Sequence, residues 1–437
     1  MVDSNASTPP SYPPADLAQV QGRLKSLEHP LPAGMRDRLP EDARIESELG
    51  GRLLECFELY GYERVSAPAF EYADVLVRGL GALEPQDVLR FVEPETGEVV
   101  ALRPDMTPQV ARLLATRLAD APSPARLCYQ GSVLRRPRER ARKHRQIPQA
   151  GVELVGQGGV DADLEVLELA VESVRRAGLR DFVIDLGHAA IATPLLERVP
   201  RGLRDEVVEA LSLKDSYQLE RLAGRAGLSA AELGALCALP ELTGGEEVWP
   251  RAERVLAGTD ALSGCLELKE LWTRARDLEC ALVVDLGETR AFRYYTGFLF
   301  QLLAEGPGRA VASGGRYDRL LARFGQDRPA AGMAVDLDNL AWALADAKRS
   351  PEVGTRVLVC AAPHAAQLVR ELRALGVVSA VAPIGDPLGY AHAWRYSHLV
   401  EGTPVALELT RLSSGERLQV TGADVAESAR VLSAQLS

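Results

Sequence analysis

Between residues 41 and 60 (EDARIESELGGRLLECFELY), Ile45, Leu49, Leu53, Phe57 and Tyr60 recur at three- and four-residue spacing, one apolar face of a helix. Acidic residues open that helix, where they meet its positive end, and Gly61 supplies a stop. The period then changes. ERVSAPAFEY is strand-like, and Pro68 confines it to an edge or a strand end because proline brings no backbone donor. LRFVEPETGEVVALRP reads as strand, turn and strand, and residues 105–119 as a helix with Val110, Leu113 and Leu114 inward. ARLCYQGSVLRR and IPQAGVELVG form an antiparallel pair joined by the polar loop RPRERARKHRQ. Helical spacing returns in DADLEVLELAVESVRRAG, ahead of the strand FVIDLGH.

From about residue 190 to 280 nearly every segment is helical in pattern, which predicts an α-helical insertion inside the larger domain. Strands resume with ALVVDLGE, FLFQLLAE and RAVASGG, and a helix follows around DNLAWALADAKR. PEVGT at 351–355 is a natural linker. The pattern predicts an α+β chain with a mostly antiparallel sheet flanked by helices. Its parts are a loose tail over 1–28, a core over 29–350 and a small α/β domain over 356–437. Within that last domain, DPLGYAHAWRYSHLVEG looks short for a complete strand–helix repeat.

Composition narrows the function classes only a little. The chain has 437 residues, 46% hydrophobic and 25% charged, as an ordinary globular protein of more than one domain would. A net charge of −11 gives no global attraction to nucleic acid. The six cysteines (Cys56, Cys128, Cys237, Cys265, Cys280 and Cys360) include no C-x-x-C pair, and several lie in apolar runs. Reduced, buried thiols in a cytoplasmic protein are expected, with no metal site. The N-terminal stretch has no basic region followed by an apolar one, and no segment is apolar enough to span a membrane.

Five polar–glycine clusters carry the candidate chemistry. LRPDMTP sets Arg103, Asp105 and Thr107 after a strand. The basic loop holds Arg135, Arg136, Arg138, Arg140, Arg142, Lys143 and Arg145 against Glu139 alone; it is either a polyphosphate clamp or a solvated loop. In PQAGVE, Gln149 and Glu153 stand four apart, so on a strand they share a face. TRAFRYYTGFLF brings Arg290 ahead of Tyr294 and Tyr295, and SGGRYDRLLARFG has glycines that admit close approach to backbone. Taken singly, each is better read as packing or a turn.

Taken in order, the five resemble the histidyl-tRNA synthetase family and its paralogue, the regulatory subunit of ATP phosphoribosyltransferase. The resemblance runs from about residue 30 to 345 and includes GYERVSAPAFE, LRPDMT, YQGSVLRR…QAGVE, RAFRYYTG and GGRYD…AAGMAVDLDNL. It implies a class II aminoacyl-tRNA synthetase core and a histidine pocket. Asp105, with Thr107 beside it, stands where the family's R-P-E-x-T motif holds the amino group. Gln149 and Glu153 match further partners of the ammonium, Arg290 the arginine at the carboxylate, and Tyr295 and Tyr317 the tyrosines beside the imidazole. Acids for an ammonium, an arginine for a carboxylate and polar aromatics for a ring are consistent chemistry.

The nucleotide motifs depart from the family. Where the resemblance expects F-R-x-E, the chain has Leu134-Arg135-Arg136-Pro137, leaving Arg135 as the residual phosphate-binding candidate. Where it expects G-x-E-R, Asp336, Leu337, Asp338 and Asn339 follow, so an arginine is lost and acids are gained. The regulatory-subunit resemblance implies a non-catalytic chain with no cofactor. It also implies a short-form ATP phosphoribosyltransferase catalytic subunit as partner, histidine as ligand, and a homodimer within a cytoplasmic hetero-oligomer. It gives no reason to expect tRNA. A divergent histidyl-tRNA synthetase, or a synthetase-like module for another ligand, remains open from sequence.

Overall fold

The computed structural model describes residues 31–79, 88–136, 144–289, 295–348, 354–360 and 362–436. The predicted tail over 1–28 and most of the basic loop therefore lie outside the described residues, as does Arg290. The chain divides into two compact units, Met1–Ser350 and Pro351–Ser437.

In the larger unit, helix α1 (Pro40–Leu59) begins with a proline that needs no amide partner and carries Glu41 and Asp42 in its first turn. Its apolar stripe buries Leu49, Leu53 and Phe57, while Ile45 and Tyr60 are half-buried at its ends. Strands β1 (Glu63–Arg64), β2 (Phe70–Tyr72), β3 (Arg90–Val92) and β4 (Val99–Leu102) follow, with the short helix α2 (Ala73–Gly79) after β2. β2, β4 and β3 make a small antiparallel sheet of their own. Helix α3 (Thr107–Thr116) buries Val110 and Leu114; Leu113, expected inward, is only half-buried, and Gln109 takes the inner position instead. Gln109 is tolerated there because its amide donates to the Pro68 carbonyl at 2.9 Å and to Glu71 at 2.8 Å.

The long strands β5 (Ala125–Leu134) and β6 (Gln146–Val155) pair antiparallel along ten residues. Helix α4 (Val160–Ala177) covers the sheet, and Gly178 ends it with a left-handed turn at φ 110°. After β7 (Val183–His188) the chain runs through helices α5 (Ala189–Arg198), α6 (Arg201–Ser212), α7 (Ser216–Ala223), α8 (Ala230–Ala238), α9 (Trp249–Leu256) and α10 (Ala261–Ala275). This is the helical segment the sequence predicts, with one addition. Thr243–Gly244 forms β8, two residues that add to the edge of the main sheet. β9 (Ala281–Asp285), β10 (Phe298–Leu303), β11 (Ala312–Arg316), β12 (Ala330–Asp336) and helix α11 (Leu337–Asp346) complete the unit.

The nine strands run β1-β5-β6-β12-β11-β10-β7-β9-β8. Most neighbours are antiparallel; β1 with β5 and β7 with β9 are parallel. One face of β6 (Ala150, Val152, Leu154) joins the main core beneath α1 and α4. The alternate residues point to the other face, where the candidate site lies.

The smaller unit is a five-stranded sheet of order β14-β13-β15-β16-β17, from Arg356–Val359 (β13), Val378–Val381 (β14), His398–Thr403 (β15), Ala406–Arg411 (β16) and Arg417–Thr421 (β17). Ala365–Ala374 and Val425–Leu436 are its longer helices. The segment expected to be too short for a strand–helix repeat holds one in compressed form. Pro387–Ala393 is a helix of seven residues, capped by the Asp386 carboxylate accepting from the Gly389 amide at 2.8 Å, and β15 follows it. Side-chain capping let so short a helix form, which composition alone did not show. The cysteines are all unpaired; Cys56, Cys128 and Cys265 are buried and the other three half-buried.

Candidate functional site

The outer face of β6 presents Gln149, Gly151 and Glu153 in succession, as period-two alternation requires. β12 lies beside it with Asp336 opposite Gln149 and Gly332 opposite Glu153. On the other side Tyr129 of β5 faces Gly151. A methyl group at 151 would meet the Tyr129 ring at 2.7 Å, so glycine lets the ring cross the strand. The Tyr129 hydroxyl then donates to Glu153 Oε1 at 3.2 Å.

Glu153 is 1% exposed, and its Oε2 has no hydrogen-bond partner of normal geometry. Burial pushes its carboxyl well above the usual carboxylate range, and the charge of Asp105 pushes it further; the hydroxyls of Thr107 and Tyr129 pull it back. Oε2 and the buried Tyr317 hydroxyl both converge on the space above Gly332, which a side chain there would fill. Tyr295 lies half-buried with its ring against Gly315, the β11 residue opposite Gly332.

Asp105 and Thr107 enter from the turn that starts α3. The Thr107 amide donates to Asp105 Oδ1 at 3.1 Å, which fixes the carboxylate at the helix start. Arg103 does not reach the site: its Nε donates to the Ser132 carbonyl at 2.7 Å and its Nη1 to the Ala67 carbonyl at 2.9 Å. The structure thus brings Asp105, Thr107 and Glu153 together and sets Tyr295 and Tyr317 on the neighbouring β12–β11 floor. Gln149 shares the strand face of Glu153, half-buried, and Arg290 lies outside the described residues. Tyr129 and Gly332 were not singled out from sequence. Their place depends on strand register, and no local signal in RLCYQ or AAGMA marks it.

The positions that the resemblance reserves for nucleotide have partners within the protein. Arg135 Nε donates to the Pro104 carbonyl at 2.6 Å, and its Nη2 is 3.8 Å from Asp105 Oδ2. Asp336 caps α11, its Oδ1 accepting from the amides of Asp338 and Asn339 at 3.0 and 3.1 Å. Asp338 pairs with both Arg36 and Arg38 at 2.7 Å. Asn339 is buried, its Nδ2 donating to the Ala310 carbonyl at 2.7 Å. The segment has become a helix cap and an anchor for the chain at Arg36 and Arg38.

Below the floor, Arg316 is 7% exposed. Its Nε donates to Asp163 Oδ1 at 2.7 Å, its Nη2 reaches the same oxygen, and its Nη1 donates to Asp318 Oδ1 at 3.0 Å. Asp318 also accepts from the Ala330 amide at 3.0 Å and bonds the Thr296 hydroxyl. The pair thereby ties α4 to the segment that carries Tyr317. Among the described residues no group of His, Cys, Asp and Glu is arranged to hold a metal ion, and no helix is long and apolar enough to cross a membrane.

The family model for histidyl-tRNA synthetase matches residues 34–340. A protein of Anaeromyxobacter sp. (strain Fw109-5) named ATP phosphoribosyltransferase regulatory subunit is 47% identical over 326 residues, 73% of this chain and 94% of that one. A protein of Geobacter sulfurreducens with the same name is 34% identical and covers 92% of this chain and 96% of its own length. Among solved structures, one from Bacillus halodurans described as an ATP phosphoribosyltransferase regulatory subunit/histidyl-tRNA synthetase has a TM-score of 0.74 at 27% identity, covering 85% of this chain and 98% of that one. The histidyl-tRNA synthetase of Nostoc has a TM-score of 0.75 at 21% identity, covering 93% and 99%, a likeness of fold.

Proposed function

Since the chain belongs to the histidyl-tRNA synthetase family and, within it, to the ATP phosphoribosyltransferase regulatory subunits, we propose that it exerts its control by binding histidine between Glu153, Asp105 and the tyrosines of the β12–β11 floor. It is a non-catalytic subunit of an ATP phosphoribosyltransferase complex, acts in histidine biosynthesis and works with a separate catalytic subunit. The names of its relatives do not favour a divergent synthetase.

The observation that carries the pocket reading is Asn339. The position at which the resemblance expects a phosphate-binding arginine is a buried amide bonded to the Ala310 carbonyl, while Glu153 and its surroundings keep their polar character. Loss of the far-phosphate cation with retention of the amino-acid pocket fits a subunit that senses histidine without activating it. In this reading Asp105, Thr107, Gln149 and Glu153 face the ammonium, Arg290 the carboxylate, and Tyr295 and Tyr317 the imidazole. Arg135 donates through Nε to the Pro104 carbonyl, which positions the Asp105 turn, and it remains the residual phosphate-binding candidate. The functional unit is a homodimer within a hetero-oligomer of the cytoplasm, joined to a short-form catalytic chain.

Thermal unfolding with added ligand tests the pocket. Histidine at a hundredfold its dissociation constant stabilises the native state by about 2.7 kcal/mol, which raises the melting temperature by a few degrees. Glutamine, which lacks the imidazole, leaves it unchanged. An unchanged transition at millimolar histidine removes the pocket reading.

A further inference from the structure

On the floor of the site Glu153 combines near-complete burial with an oxygen, Oε2, that lacks a hydrogen-bond partner of normal geometry. We propose that the pocket takes up its amino-acid ligand with release of one proton from Glu153, the carboxyl being neutral in the empty protein and ionised against the ligand's ammonium in the filled one. The proposal rests on the histidine-pocket reading and adds its pH regulation.

The groups facing Glu153 explain why it would hold a proton when the site is empty. From β5 comes Tyr129, whose hydroxyl donates to Oε1. From the turn into α3 come Thr107 and the like-charged Asp105, and from the end of β11 comes Tyr317. β12 contributes only Gly332, and Tyr62 stands behind on the α1 side, close enough to be affected by the Glu153 charge. None of the groups shifting Glu153 among the described residues is a cation. Arg135, the cation beside Asp105, stands 3.8 Å from that carboxylate and is itself a third exposed. An ionised carboxylate on this floor would be desolvated with an anion nearby, and the hydroxyls of Thr107 and Tyr129 offset only part of that, so burial and charge both favour the neutral acid. Arrival of an ammonium reverses the balance. The carboxyl O–H bond breaks, the proton passes to the solvent buffer, and the carboxylate accepts an N–H of the ligand in a charge-assisted bond.

The same geometry makes pH a control on occupancy. Where the empty site is protonated, each unit of rising pH tightens binding about tenfold, and the gain ends above the empty-site pKa of Glu153. The Glu153→Gln variant keeps the shape and a hydrogen-bonding head but has no proton to lose.

Isothermal titration of the full chain with L-histidine, in two buffers of different ionisation enthalpy, counts the protons directly. Near pH 7.5 the free ligand's imidazole is mostly neutral, so it contributes little to the count. Wild type releases about one proton, and the Glu153→Gln variant, matched for melting temperature, releases none and binds at least tenfold more weakly. Below the empty-site pKa of Glu153 the affinity of wild type climbs with pH relative to that of the variant, which subtracts the ligand's own imidazole titration. Histidine binding without proton release in wild type overturns the proposal while leaving the histidine pocket standing, as does a variant that binds as tightly with a superimposable pH profile. Absence of histidine binding in wild type overturns both.

Discussion

Replacing Arg316 by leucine lowers the stability of the larger unit by about 3–5 kcal/mol. The guanidinium is held by Asp163 and Asp318 beneath the site, and both the arginine and Asp163 are largely withdrawn from water, with side-chain exposures of 8% and 13%. Leucine fills part of the volume but leaves the Asp163 carboxylate desolvated with its cation gone. That uncompensated charge, rather than the lost attraction itself, is the main cost. Asp318 suffers less, because it keeps the Ala330 amide and the Thr296 hydroxyl and is more exposed. A second change, Asp163→Asn in the leucine background, removes the orphaned charge and recovers part of the loss. Urea unfolding monitored by circular dichroism measures both; a single variant within about 1 kcal/mol of wild type shows that the pair is not a structural tie. Because Arg316 precedes Tyr317, the single variant also binds histidine more weakly at temperatures where it remains folded.

Gly332→Ala has the larger effect on the site itself. The added methyl overlaps Glu153 Oε2 and the Tyr317 hydroxyl, and stands 2.5 Å from the carbonyl oxygen of Val152. The two head groups can rotate away, but the carbonyl belongs to the β6 backbone beside β12 and cannot yield without disturbing the sheet. Overpacking of this kind costs about 1–3 kcal/mol of stability. Its consequence for ligand is greater, since the methyl occupies the space on which the acid and the phenol converge. Histidine affinity falls at least tenfold, as about 1.4 kcal/mol of lost interaction would produce. Calorimetric titration at a temperature where the variant is folded reads this, and unchanged affinity would place the ligand elsewhere.

What the sequence made legible follows the range of the forces involved. The stripe Leu49, Leu53 and Phe57 announces α1, because helical burial repeats within a few residues. Gln149 and Glu153 could be set on one face by alternation alone, and β6 presents them so. Tyr129 could not be tied to Glu153, because their contact depends on the β5–β6 register across the basic loop. The fate of Asn339 was hidden too. Sequence shows the missing arginine, but only the fold reveals an amide turned inward to Ala310 and an Asp336 that caps α11. Arg316 sat unremarked inside GGRYD because its partner Asp163 is 153 residues away. The compressed helix at Pro387–Ala393 escaped for a local reason, the Asp386 cap supplying stability that seven residues lack by propensity.

The most direct test of the whole account is phosphoribosyl-ATP formation by a short-form catalytic subunit from the same organism. It is assayed alone, with this chain, and with this chain plus histidine. Little turnover by the catalytic chain alone, activation on adding this chain, and reversal by histidine in wild type but not in Gly332→Ala is the predicted result. A folded catalytic subunit whose rate is indifferent to this chain, or an activation that histidine leaves untouched, would contradict it.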